Sequence, residues 1–512
     1  MVTFNKTVAS LIMLLFTYLT FSQTYFSERL NVGNKANLST TLKLYNDSLF
    51  IPAQVFETPN SYSSCLLKLT NTGTIITQKR FKPINRSFEA GNDFYIKNNK
   101  FYVTSITADF TKLQSGFYVF NESCYTVYTK NYGDTNFYNY GYKIHPFNQT
   151  KNKLLLIGET DSTCGIGHPG FYKPVVRVVD TNGILYQTKL FLNSNKYRTL
   201  TGSDTTLNKG YIFCGVEQIT GANPIGQPFI VKIDSNLNQK WSLYLTDNTS
   251  SYYADVLTLK NGKHIVSHNK VDSVGIGNIF WERISLMKLD TNGAVIWQKY
   301  YGSKQRDITT TAVKELPNKD LIVTGCRRIA YNPSVSQVMG FLMMTDSIGN
   351  LKWWNNYIAI TPIKDTIGEC YLFDAIQMPD KGFAAVGWAG PSGYFGTKQE
   401  SWLLRVDSMG CLVPGCNPFG TMVGETEITT ANKFYPNPTN GKLIIEVSEL
   451  SNTSTSSVTK LVITDIVGEE IKNEKIILEK TELNISEISN GIYFLNFYEN
   501  NKLIVTKKLI KQ

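Results

Sequence analysis

Apolar and polar positions change over within short runs along this chain, and turn residues separate the runs. The stretch from Leu286 to Trp297 sets the pattern. Apolar Leu286 and polar Lys288 mark a pleated segment, Asp290-Thr291-Asn292-Gly293 supplies a reversal, and Val295 and Trp297 alternate onto one face. Glycine stands where the turn requires a positive φ. The stretch reads as strand, tight turn, strand.

The turn recurs, beginning at Thr70, Asn121 (a degenerate copy), Asp180, Asp234, Asp290, Asp346 and Asp407. A spacing of roughly 55 residues belongs to a solenoid, an array or a propeller. Every unit has the same interior. In the sixth, 308–316 is a first strand, 317–320 a tight turn, 321–325 a second strand, 341–345 a third and 351–354 a fourth, with a long loop between the second and third. Four antiparallel strands with small residues in the second describe a propeller blade. Each sheet is apolar on both faces and must be packed between neighbours. The predicted fold is all-β: a seven-bladed β-propeller followed by a small Ig-like β-sandwich. The rival is an open array of sandwiches. Closure is favoured because the seventh unit lacks a fourth strand after Gly410, while the spare segment 24–30 precedes the first unit near Leu38.

With 512 residues the chain is too long for one ordinary core, and its 29 Tyr and 28 Phe favour strands. Residues 1–22 read as a signal peptide, with Lys6 as the charged flank, an apolar run from Leu11 to Phe21, and small residues before Gln23. The run is shorter than the ~20 residues of a membrane span. No transmembrane segment is expected after cleavage. The propeller is assigned to 23–416, a Gly/Thr/Glu linker to 417–431 and the terminal sandwich to 432–512. Export implies oxidising surroundings, and among eight Cys only Cys411 and Cys416 bracket a turn, so a small disulfide loop is expected there.

The terminal region carries Tyr435-Pro436-Asn437-Pro438, then Gly441 before the apolar strand 442–447. Farther on come Gly491 and Tyr493, and a basic last strand with Lys507. These residues resemble the type A C-terminal sorting domain of the type IX secretion system of Bacteroidetes. The departure is a Ser/Thr-rich insert, 451–459. The resemblance implies Sec export, engagement of the type IX machinery, and removal of the tail by a sortase-like peptidase. It further implies a product anchored at the outer-membrane surface or released.

Charge narrows the function little. The net charge is +10; the tail after Ala431 holds equal numbers of Lys and acidic residues and the leader takes Lys6, so the mature propeller and linker keep a net +9. A moderate positive charge suits anionic surface glycans. The Lys are scattered, so nucleic acid is not an expected partner. The loops say more. Long second-to-third connections at 159–174, 217–228, 269–285, 327–340 and 388–401 emerge on the end opposite the tight turns. They carry His168, Tyr172, Trp281, Arg283, Arg327, Arg328, Tyr331, Trp388 and Tyr394. Aromatics beside Arg stack on sugars or clamp carboxylates, so these residues are the candidate ligand-binding set, with Trp281 and Trp388 as rim stacking anchors. Packing of the loops themselves is the alternative for each.

Catalytic patterns are weak. His264 and His268, four apart on a strand, stand about 13 Å apart, too far to share a metal. No metal or other cofactor is expected. Glu159, Asp161 and Glu217 are candidates for an acid/base pair across neighbouring blades, and an enzyme on this face would use such carboxylates with His168. The expectation is a secreted or cell-surface binding protein for a glycan or protein ligand. The alternatives are a glycan lyase or hydrolase, or a purely structural or adhesive component.

Overall fold

The computed structural model describes residues 25–412 and 433–512, apart from 59–60, 83–86, 89–92, 110–111, 148–151, 162–170, 193–195, 219–224, 251–252, 276–278, 307, 333–334, 360–367, 392–396, 447–458, 466–468, 477–479 and 500–501. The chain divides into two compact units, Met1–Pro418 and Phe419–Gln512.

In the first unit, burial follows the repeat. The second and third strands of blade 3, Lys153–Thr160 and Lys173–Asp180, are buried almost throughout, while the outer strand Leu185–Leu190 is largely exposed. A sheet buried on both faces needs a neighbour on each side. A ring of seven supplies this: blade 1 spans 37–81, blade 2 87–132, blade 3 139–190, blade 4 198–244, blade 5 254–306, blade 6 308–357 and blade 7 368–406. Each is an antiparallel meander of four strands, and in blades 1 and 2 the inner strand is split in two. Blade 7 has three strands of its own. Phe26–Leu30 supplies the fourth, lying antiparallel on Glu400–Val406 with Phe26 opposite Arg405 and Leu30 opposite Ser401. The spare N-terminal segment thus closes the ring.

The recurring turn is explained by what it touches. Asp290 Oδ1 accepts the N–H groups of Asn292 and Ala294 at 2.8 and 2.9 Å. Asp180, Asp234, Asp346 and Asp407 make the same pair of bonds. Each turn then docks on the outer strand of the preceding blade. Tyr132, Tyr301 and Tyr357 donate their hydroxyls to the carbonyls of Gly183, Gly349 and Gly410 at 2.9, 2.6 and 2.7 Å. Trp241 Nε1 donates to Thr291 O.

Near the axis, carboxylates tie inner strands together. Asp93 accepts from Ile144 N (3.2 Å), Asp255 from Val313 N (2.9 Å), and Asp374 from Leu42 N (3.3 Å) and Thr41 Oγ1 (3.0 Å). The Asp374 contacts join the seventh blade to the first.

The second unit is a two-sheet sandwich. One sheet holds Lys433–Tyr435, Lys442–Glu446 and Lys480–Asn484, and the other Glu470–Ile476, Thr459–Thr464, Gly491–Glu499 and Lys502–Lys511. Leu443, Ile445, Leu461, Ile463, Leu495 and Phe497 fill the space between them.

Candidate ligand-binding face

The end of the propeller opposite the tight turns differs from the sequence reading in two places. The connections expected at 269–285 and 327–340 are mostly strand. His264–Gly275 pairs with Ile279–Leu289, and Leu321–Asn332 with Val335–Thr345. Both are hairpins that carry the sheet past the body of the blade. Hydrogen-bonded backbone makes them firmer platforms than loops.

On blade 5 this extension gathers side chains in tiers. Lys270 stands opposite Arg283 and His268 opposite Ser285, while the outer strand brings Tyr300 opposite Ser285. The connection leaving blade 4 adds Asp247. Tyr300 Oη donates to Asp247 Oδ2 at 2.9 Å, Gln298 Nε2 reaches the same oxygen, and Lys270 Nζ lies 3.6 Å from Asp247 Oδ1. Arg283 makes a two-pronged pair with Asp272, with Nη2 2.8 Å from Oδ1. Both cations face the Tyr300 ring, Lys270 Nζ 4.4 Å and Arg283 Cζ 4.9 Å from its centre. Partial burial works against the Lys270 charge, but Asp247 and the Tyr300 hydroxyl outweigh it and raise the ammonium above its ordinary range. The hydrogen bond to Asp272 raises Arg283 likewise. Trp281, two residues from Arg283 on the same strand, is 41% exposed.

A second cluster lies between blades 3 and 4. Tyr172 Oη sits 3.2 Å from Tyr140 Oη, with the rings edge to face. Arg198 grips Glu217 through Nε and Nη2 at 2.8 and 2.7 Å, and Tyr244 Oη donates to the same carboxylate. Asp161 accepts from Tyr138 N. Glu159 is buried and accepts from Leu200 N on the next blade, and burial pushes its carboxyl up to about 8. These carboxylates serve as ties within and between blades.

Of the nine candidate residues, Trp281 and Arg283 come together. Tyr172 belongs to the cluster of blades 3 and 4. Arg327 and Arg328 are half-buried on the blade 6 hairpin. Trp388 is not a rim anchor: it is 8% exposed, stacks on Tyr371 at 4.5 Å, and packs with Leu38 and Phe56 of blade 1. The aromatic that follows Gly387 points into the blade interface because the second strand is covered on both faces there. His168, Tyr394 and the Tyr331 side chain lie outside the described residues. Asp247, Lys270, Asp272 and Tyr300 were missed, although His268, Lys270 and Asp272 alternate at the strand period beyond Val266.

In the sandwich, the motif residues are joined by the backbone. Asn437 Oδ1 accepts Ile510 N at 2.8 Å, and Thr439 and the last strand exchange backbone bonds through Ile510 and Gln512. The exposed Tyr435 hydroxyl receives Lys480, and Pro436 and Pro438 both follow cis peptide bonds. Gly441, at a φ of +135°, abuts Ser486. Tyr493 is buried and donates to Ser489 O, while Gly491 and Lys507 pair across the sheet with Lys511 and Leu495. Cys65, Cys124, Cys214, Cys326 and Cys370 are buried free thiols. Cys411 is buried, and Cys416 lies outside the described residues.

The molecule is thus a seven-bladed propeller bearing a separate C-terminal β-sandwich. Residues 433–512 match the family described as the secretion system C-terminal sorting domain. It is a type IX secretion sorting-domain protein, destined for the cell surface or the extracellular space. Its sorting domain engages the type IX machinery. No helix among the described residues is long and apolar enough to cross a membrane. No curated protein sequence matches the chain. Among solved structures, the polysaccharide lyase Uly1 is similar at 9% identity and a TM-score of 0.43, covering 76% of this chain and 94% of that one. A glycoside hydrolase is similar at 10% identity and 0.31, covering 80% and 98%. A subtype N10 neuraminidase-like protein of A/little yellow-shouldered bat/Guatemala/060/2010 follows at 12% and 0.32, covering 67% and 99%.

Proposed function

We propose that the mature propeller is a surface-displayed or released binding protein that takes a glycan or protein ligand on the face bearing the long connections. The observation that carries this is the blade 5 hairpin, where an exposed Trp281 stands beside Lys270, Arg283 and Tyr300, all held by hydrogen bonds. An aromatic plane next to immobilised polar groups is the usual make-up of a binding hot spot. In this reading residues 1–22 leave as a signal peptide, 23–416 form the propeller and 417–431 the linker. Residues 432–512 are removed by a sortase-like peptidase. Cys411 pairs with Cys416 to pin the end of blade 7.

The test is to present the secreted protein to a glycan array and to surface proteins of its own cells, then repeat with Trp281→Ala. Capture that falls in the variant is expected. Capture untouched by that change, but lost when turns at the opposite end are altered in a folded protein, would move the site.

A further inference from the structure

We infer that the blade 5 platform takes an acidic saccharide, a sugar unit bearing a carboxylate or a sulfate. The inference rests on the binding reading above and adds the ligand's charge.

Charge is layered on the platform. Among the described side chains the platform holds two cations and two anions, which balance formally, but the signs are not at the same depth. The Lys270 side chain is 27% exposed over an Asp247 that is 10% exposed, and Arg283 is 32% exposed over an Asp272 at 7%. The anions form the floor and the cations the surface. Field lines from buried carboxylates are largely neutralised by the ammonium and guanidinium above them. An approaching ligand therefore meets positive charge, in a mature propeller and linker whose net charge is +9 once the leader with Lys6 and the neutral tail are set aside.

The cations are also held in place. Asp272 engages Arg283 at two nitrogens, and Tyr300 lies beneath both positive groups while its hydroxyl is fixed on Asp247. Side chains already ordered lose little rotamer freedom when a ligand arrives. The remaining element is the plane. Trp281 and Arg283 are two apart on one strand, so they point to the same side about 7 Å apart. One sugar residue spans that separation, with its C–H face on the indole and its charged substituent toward Arg283 and Lys270. A nucleotide also joins a stacking plane to an anion. It is disfavoured because the cations among the described side chains are two, not a continuous basic track.

The experiment uses the secreted mature protein on an array pairing acidic saccharides with uncharged counterparts: oligogalacturonate with its methyl ester, and dextran sulfate with dextran. Binding confined to acidic members and weakening as salt rises is expected. Trp281→Ala and Lys270→Gln should each weaken it about tenfold. Asp247 keeps its Tyr300 and Gln298 donors in the Lys270 variant, and melting curves matching the parent would show that both variants fold. Equal binding of charged and uncharged partners would overturn the inference and leave the binding reading standing. Preference for a single-stranded oligonucleotide over every glycan would also overturn it. So would acidic binding that both variants retain in full, because the ligand would then sit elsewhere.

Discussion

The ring of Phe26 occupies the space that a side chain on Gly73 would need, with Cζ only 2.4 Å from where a Cβ would stand. Phe26 belongs to the N-terminal strand that completes blade 7, and Gly73 to the recurring turn of blade 1. The contact repeats the docking of Gly349 against Trp297 and Tyr301, and of Gly410 against Trp353. The chain's first strand therefore performs the task that an outer strand performs between other blades. Gly73 also has a φ of +88°, so Gly73→Ala combines backbone strain with a collision and should destabilise the propeller by about 1–3 kcal/mol. Phe26→Ala should cost about 3–5 kcal/mol through lost burial. Urea unfolding of both variants measures this, and parental midpoints would show that closure does not depend on the contact.

Trp388→Ala should act on stability rather than on ligand capture. The indole is buried against Tyr371, Leu38 and Phe56, so its removal should cost about 3–5 kcal/mol. A variant that melts like the parent but binds less would restore Trp388 to the rim.

Glu159 should make stability fall with rising pH. Burial raises its carboxyl from 4.5 in the unfolded chain to about 8 in the fold, against the pull of Leu200 N and Arg198. The folded state then holds a proton that the unfolded state releases. Its contribution is fully present below pH 4.5 and is lost as pH passes through about 8. Glu159→Gln, which keeps an acceptor for Leu200 N, should flatten the slope above pH 6. Below that, Asp204 and Asp255, raised by burial to about 6, retain their own share. Denaturation midpoints at pH 6 and pH 9 decide it, and an unchanged slope in the variant would acquit Glu159.

Removal of residues 432–512 should leave the propeller in the periplasm. The sorting sandwich is the address, and its motif residues are tied to the last strand through Asn437 and Ile510. Fractionation of cells making the truncated chain is the readout. Normal surface display would mean that another segment carries the signal.

Non-reducing peptide mapping should recover Cys411 joined to Cys416, while Cys65, Cys124, Cys214, Cys326 and Cys370 remain thiols. Burial pushes the Cys65 and Cys124 thiols up to about 12, so little thiolate is present to react. Free thiols at both Cys411 and Cys416 would contradict the bridge.

The strand pattern, the seven turns and the sorting motif were legible in the sequence because each is local. The Asp-x-x-Gly turn needs a side-chain acceptor at its first position and a positive φ at its last, and both requirements fall within a few residues. Even ring closure left a local trace, a blade one strand short and a spare strand at the start. What the tertiary structure alone decided was depth. Trp281 and Trp388 both follow apolar strand residues near long connections, yet one stands on a hairpin beyond its neighbours and the other is covered by blade 1. Lys270, Arg283 and Tyr300 lie on three strands, and Asp247 joins them from the connection after blade 4. Exposure and convergence depend on which surfaces the closed ring brings together, and those contacts link residues far apart in the chain.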